Sequence, residues 1–212
     1  LEHQALHELG YAVSLQTVSR GLYLADKHFY EENARLPVRQ RKPEEQLKVY
    51  TDFQVIILNE VGILPSEDLV LKMMMRMREL NAIMKFVLYD DVLQALRSVK
   101  EKKLTTGLLS NLQSGINEMC RELGISPYID FSVTSGEVGE DKPKPPIFLR
   151  ALELAKVKPQ EAIHVGDQPE NDVMGARGVG ITGILLDRTN LYPEITDYPR
   201  IQSLTEVTRY LS

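Results

Sequence analysis

Along the first 85 positions, apolar residues recur at helical spacing; from about residue 86 they gather into short runs bounded by polar and glycine residues. LEHQALHELG reads as a helix stopped by Gly10, and SLQTVSRGLYLADKHFYEENARL as a second. A third starts at Pro43, whose ring and the following Glu44 and Glu45 suit a first turn. A fourth starts at Pro65-Ser66-Glu67-Asp68, with Val70, Met73, Met77, Leu80 and Met84 on one face as packing residues. The second part alternates. DDVLQALRSVKEKK, QSGINEMCRELG, PPIFLRALELAKV, NDVMGARGVG and SLTEVTRYL read as helices, and LTTGLLSN, DFSVTS, EAIHVGD and ITGILLD as strands. Strands alternating with helices predict an α/β, Rossmann-like parallel sheet with helices on both faces over 86–212, and an all-helical domain over 1–85.

In such a sheet, ligands bind just beyond the carboxyl ends of the strands. Ser110 and Asn111 follow LTTGLL, Lys142 lies in GEDKPKPP soon after DFSVTS, and Gly166, Asp167 and Asp172 follow AIHV. These supply a hydroxyl, an ammonium and two carboxylates on one edge. Paired carboxylates suit a hard cation such as magnesium, which takes one or two of them plus waters and a substrate phosphate. A lysine offers a compact positive charge to a phosphoryl oxygen, and a hydroxyl beside a backbone N–H holds another. The set reads as phosphoryl transfer with a metal. Singly, each residue has an ordinary explanation as a helix cap or a solvated loop residue; the ordered combination on three successive strand ends does not.

Composition narrows this reading. The chain has 212 residues, 43% hydrophobic and 26% charged, with a formal charge of −5, which argues against nucleic acid and anionic membrane as main partners. The most apolar stretch, FQVIILNEVGIL, is interrupted by Gln54, Asn59 and Glu60 and is too short to span a bilayer. No basic segment followed by an apolar run opens the chain, and the one cysteine, Cys120, reads as a small buried residue in a reducing, cytoplasmic setting.

GLLSN, GEDKPKPPIF and HVGDQPENDVMGA resemble, in order and spacing, the second, third and fourth motifs of the haloacid dehalogenase (HAD) superfamily. The helical part is similar to the cap inserted between that superfamily's first and second motifs. The resemblance implies a magnesium-dependent hydrolase acting on a small phosphorylated metabolite through an aspartyl-phosphate, with the helical domain closing over the site. Ser110, with Asn111 beside it, would bind the phosphoryl group. Lys142 would orient the nucleophile, and Asp167 and Asp172 would hold Mg2+. The GD…D acid pair favours phosphatases over the metal-free dehalogenases; phosphonate-cleaving and phosphosugar-isomerising relatives share the pair.

The first motif of that superfamily, an apolar strand ending in Asp-x-Asp, is not found in this sequence. Asp26, Asp52 and Asp68 sit in helical patterns, and Asp90-Asp91 read as an N-cap and first-turn acid. The chain begins at Leu1, and LEHQAL looks like the continuation that follows the first motif in relatives. The expectation is an N-terminally truncated chain, inactive as it stands, with a gap between the strands of LTTGLL and AIHV. The alternatives are a non-catalytic protein that binds phosphate and metal, and a dehalogenase-like enzyme.

Weaker signals complete the reading. His3 and His7 are four apart on a helix but lack a third ligand of clear spacing; His28 reads as a surface residue and His164 as a packed one. Arg35, Arg39, Arg41 and Lys42 form a basic run better read as a solvated loop than as an anion-steering patch. Tyr23, Phe29, Tyr30 and Tyr50 are candidates to line the underside of the helical domain.

Overall fold

A computed structural model of the protein describes residues 1–83 and 85–211, which divide into two compact units, Leu1–Lys85 and Phe86–Ser212. The first unit is helical: α1 (Glu2–Glu8), α2 (Leu15–Arg35), α3 (Pro43–Glu60) and α4 (Glu67–Ile83). Local chemistry sets the helix starts. The Ser14 hydroxyl accepts the Thr17 N–H (3.1 Å), and the Glu45 carboxylate accepts the Lys42 N–H (3.2 Å) just ahead of Pro43. The core joins Ala5 and Leu6 of α1, Val18 of α2, Leu58 of α3, and Leu69, Val70, Met73, Met77 and Leu80 of α4. The methionine stripe is thus packing, as its spacing implied; Met84 lies outside the described residues. α2 and α3 come close at Gly21, where a methyl group would lie 3.2 Å from Cα of Ile57.

Arg41 in the basic run is neither solvated nor aimed at a ligand. Its Nη1 binds Glu32 at 2.8 Å and its Nε donates to the Leu36 carbonyl at 3.0 Å, tying the loop back to α2. Phe29 packs edge-on to Tyr30 and Phe53 and stacks on Tyr50 across α2 and α3.

The second unit alternates as its pattern requires: α5 (Val92–Glu101), β1 (Gly107–Ser110), α6 (Ile116–Glu122), β2 (Phe131–Thr134), α7 (Ser135–Val138), α8 (Pro145–Ala155), β3 (Ile163–Gly166), α9 (Gly175–Gly178), β4 (Thr182–Leu186) and β5 (Arg200–Ile201). All strand pairs are parallel. They form two sheets, β1-β2 and β3-β4-β5, with no pairing between β1 and β3 among the described residues. On one face α5 packs on both sheets, Leu93 and Leu96 in the cluster with Leu108 of β1, and Val99 in the cluster with Ile163 and Val165 of β3. On the other, Ile147, Phe148, Ala151 and Leu152 of α8 pack with Leu109 of β1 and Val133 of β2, and Phe148 meets His164 of β3 edge-on.

Several segments depart from the sequence reading, among them α7, whose Ser135 was read as part of the preceding strand. The helix expected over 171–180 begins earlier, as a wide π-type turn from Pro169 to Met174 leading into α9. Its cause is local: the N–H groups of Asp172 and Val173 both donate to the Gln168 carbonyl, at 2.9 and 3.4 Å, while the Gln168 N–H returns to the Asp172 carboxylate at 3.0 Å. The last helix is a 3-10 helix, Leu204–Tyr210. β5 is two residues long, too short to leave a pattern. Among the described residues, no helix is long and apolar enough to cross a membrane.

Candidate active site

The carboxyl ends of β1 and β3 carry the polar residues singled out in the sequence. Ser110 is the last residue of β1, and Asn111 follows it. The Asn111 side chain clamps the main chain of Lys142, its Oδ1 accepting the Lys142 N–H at 2.7 Å and its Nδ2 donating to the Lys142 carbonyl at 3.2 Å. This fixes the start of the lysine side chain, whose Nζ reaches the Asp172 Oδ1 at 2.5 Å and the Leu109 carbonyl at 3.5 Å. Both side chains of that ion pair are nearly sealed from solvent, 11% exposed for Lys142 and 4% for Asp172.

Asp172 is held from every side. Oδ1 takes the Lys142 ammonium and contacts His164 Nε2 at 3.3 Å, and Oδ2 accepts the Gln168 N–H at 3.0 Å. Burial opposes ionisation here, but the hydrogen bond to His164 and the charge of Lys142 outweigh it and keep the carboxyl well below the usual range. Gly166 is required by this crowding, since any side chain there would run into Asp172.

Asp167 differs. It is accessible to solvent, yet the surrounding protein and the charge of Asp172 push its carboxyl above the usual carboxylate range, with Lys142 and Arg188 pulling weakly the other way. Asp167 is the open carboxylate and Asp172 the anchored one. Asn111, Lys142 and Asp172 are joined by direct hydrogen bonds, Asp167 by electrostatics, and Ser110 by its place at the end of β1.

Two neighbours were underrated by sequence reasoning. His164 is packed, as expected, but its ring nitrogen is also a partner of Asp172. Arg188, two residues beyond β4, acts on Asp167 at a distance; its position after ILLD was the available signal. Asp91 occupies the N-cap position of α5 but makes no side-chain cap; its Oδ2 accepts from Arg188 (2.8 Å), Ser203 Oγ (2.8 Å) and the Leu204 N–H (2.7 Å). Arg188 also lies over the Tyr89 ring, 4.2 Å from its centre.

Among the described residues no group of three or more His, Cys, Asp or Glu is placed to hold a metal, and His3 instead contacts the Val13 carbonyl at 3.2 Å. A site of the magnesium kind needs fewer protein ligands, because that ion keeps several waters and shares a substrate phosphate. The donor set fits it: hard oxygens only, with one carboxylate open and short of positive partners.

Comparison with known proteins bears on the family and the fold. The family model described as a hydrolase, haloacid dehalogenase-like, matches residues 7–180. The chain is 40% identical over 93 residues to haloacid dehalogenase-like hydrolase domain-containing protein 3 of Xenopus laevis, covering 44% of this chain and 38% of that protein. It is 36% identical over 114 residues to a phosphoserine phosphatase of Thermus thermophilus, covering 52% and 44%. It is 35% identical over 101 residues to a glyceraldehyde 3-phosphate phosphatase of Methanopyrus kandleri, covering 47% and 43%. The chain thus spans less than half the length of these three relatives. Among solved structures, a HAD phosphatase from Thermococcus onnurineus aligns with a TM-score of 0.57 at 19% identity, covering 96% of this chain and 94% of the other. A 2-haloacid dehalogenase from Pseudomonas syringae aligns at 0.54 and 22%, covering 90% of each. At those identities the structures speak for the fold alone, and the family model for descent: the chain belongs to the haloacid dehalogenase-like hydrolases.

Proposed function

We propose that the protein carries the phosphoryl- and metal-holding part of a magnesium-dependent phosphatase acting on a small phosphorylated metabolite. The observation that carries this reading is the contrast between two neighbouring acids, Asp172 neutralised by Lys142 and Asp167 open and raised. The phosphatase names of two relatives support it. Asp167 would hold the ion directly; Asp172 would keep Lys142 and the turn from Pro169 to Met174 in place. Magnesium, when bound, supplies Lewis acidity toward a phosphoryl oxygen and offsets its charge. Lys142 places an ammonium beside the same region, and Ser110 with the backbone that follows it offers donors to the remaining oxygens.

The attacking carboxylate implied by the family resemblance has no counterpart among these residues. Asp91, at the end of FVLYDD, is committed to Arg188, Ser203 and Leu204. Residues 1–212 by themselves are therefore expected to bind magnesium and phosphate esters without turnover, and the complete protein to release phosphate.

The test is magnesium-dependent phosphate release from a panel of phosphomonoesters by the complete protein, with calorimetric titration of magnesium into residues 1–212. Asp167→Ala abolishes both in this reading. Activity that survives Asp167→Ala, or chloride release from haloacids without metal, would overturn it.

A further inference from the structure

The helical unit fills one face of α4: Leu69, Val70, Met73, Met77 and Leu80 all enter its core. At about 3.6 residues per turn, the opposite face carries Asp68, Leu71, Met75, Arg78 and Ala82, spaced alternately by three and four positions. Each of them is exposed, Leu71 at 57% and Met75 at 58%. Leu64, just ahead of the helix and 89% exposed, extends the line at one end. A single exposed leucine needs no explanation. Apolar residues at heptad spacing do, on the second face of a helix whose first face is already filled. That spacing is the seam of a coiled coil.

The charges on the seam say what covers it. Asp68 and Arg78 lie equally far from the midpoint between Leu71 and Met75, at the level of Met73. The order is acid, apolar, apolar, base, so the stripe complements its own reverse. Two copies of α4 running antiparallel about that midpoint set Leu71 against Met75 of the second copy and Asp68 against its Arg78, each contact occurring twice by symmetry. A parallel pair would set acid on acid and base on base, and repulsion at both ends opposes it.

The side chains are available for this. Arg76 is held by Glu8 and by Glu79, the latter at 2.6 Å, whereas Arg78 makes no ion pair among the described residues. The positions three and four away from Arg78 are Met74, Met75, Asn81 and Ala82, none of them acidic. Asp68 receives Lys72 on Oδ2 at 2.7 Å, which leaves Oδ1 for a second cation. The same bond draws Lys72 back along its own helix, away from the two-fold axis and from the Lys72 of a second copy.

We infer that this face of α4 is the interface of a two-fold homodimer, two α4 helices packing antiparallel along Leu71 and Met75 with an Asp68–Arg78 ion pair at each end. A foreign helix would have to reproduce this order of charges; a second copy has it by construction. The seam is short and its ion pairs lie at the rim, so the dimer is weak, with a micromolar dissociation constant, and the charges set orientation more than strength. Neither metal nor the function proposed above is needed for it.

Sedimentation equilibrium of residues 1–212 over a micromolar concentration range reads the association directly. The natural sequence shows a monomer–dimer equilibrium. Leu71→Glu, and separately Asp68→Arg and Arg78→Asp, each weaken it by about tenfold or more, while every variant keeps its helical circular dichroism. Asp68→Arg opposes like charges in its own dimer, and so does Arg78→Asp. An equimolar mixture of these two variants brings opposite charges together at both ends, and its association returns to the natural strength. A monomer at every concentration overturns the inference. So does a dimer that the charge variants leave intact, because another surface then forms it, and so does a mixture no more associated than either variant alone.

Discussion

Gly166 and Asp172 occupy adjoining space so closely that a methyl group on Gly166 would lie 2.2 Å from Cγ of Asp172. Gly166→Ala must therefore push the Asp172 carboxylate off Lys142, His164 and the Gln168 N–H. Overpacking of this kind costs about 1–3 kcal/mol, read as a lower urea midpoint, and magnesium affinity falls with it. Unchanged stability would mean that the two residues are not in contact.

Removing one member of a buried ion pair leaves the other charge without its partner. Lys142→Met is expected to destabilise the protein by about 3–5 kcal/mol. The double variant Lys142→Met, Asp172→Asn should recover much of that loss, because no buried charge remains. A double-mutant cycle by denaturant unfolding measures the difference. A double variant no more stable than Lys142→Met would show that the loss does not come from the unpaired Asp172 charge.

Asp91 gives the fold an acid limit. The Arg188 guanidinium, opposed by burial and helped by Ser203 and the Leu204 N–H, lowers its carboxyl from 3.8 to about 2. A depressed carboxyl stabilises the fold fully above its unfolded value and loses that contribution as pH falls through its folded value. The expected size is about 2 kcal/mol. The stability gap between the natural protein and Asp91→Asn should be full near neutrality, narrow below about pH 4 and close near pH 2. A gap independent of pH would contradict the pairing with Arg188.

Two glycines make a matched comparison. A methyl group at Gly136 would lie 2.1 Å from the backbone carbonyl oxygen of Gln113, in the loop just beyond Ser110 and Asn111, whereas one at Gly178 in α9 meets nothing within 4 Å. Gly136→Ala should destabilise by about 1–3 kcal/mol and weaken phosphate binding by shifting that loop. Gly178→Ala should be neutral or stabilising by up to about 1 kcal/mol. Thermal unfolding of both variants, with titration of inorganic phosphate, checks the pair.

The elements legible in the sequence were those whose signal is local. The periodicity of Val70, Met73, Met77 and Leu80, Pro43 at its helix start and the apolar runs ending at Ser110 and Gly166 all depend on neighbours within a few positions. What escaped depends on particular side-chain bonds, near or far along the chain. The turn from Pro169 to Met174 widens because the Asp172 carboxylate reaches back to the Gln168 N–H, and no helix propensity records that bond. Asp91 looks like an N-cap from its neighbours, but its partners lie about a hundred residues away. The motif residues Asn111, Lys142 and Asp172 were legible as a set, while their division of labour needed coordinates: an amide fixing a lysine, and a lysine fixing an acid.

The two-point clamp of the Asn111 side chain on the Lys142 main chain has a kinetic meaning as well. Residues 139–144 form a connection rather than a regular element, and such connections commonly belong to the most mobile parts of a protein. Here an N–H and a C=O of one residue are held as a strand partner would hold them, and Pro143 and Pro145 restrict the chain on either side of Lys144. The lysine is delivered by a segment held at two points, so little rearrangement of that segment is left to be made when a ligand arrives.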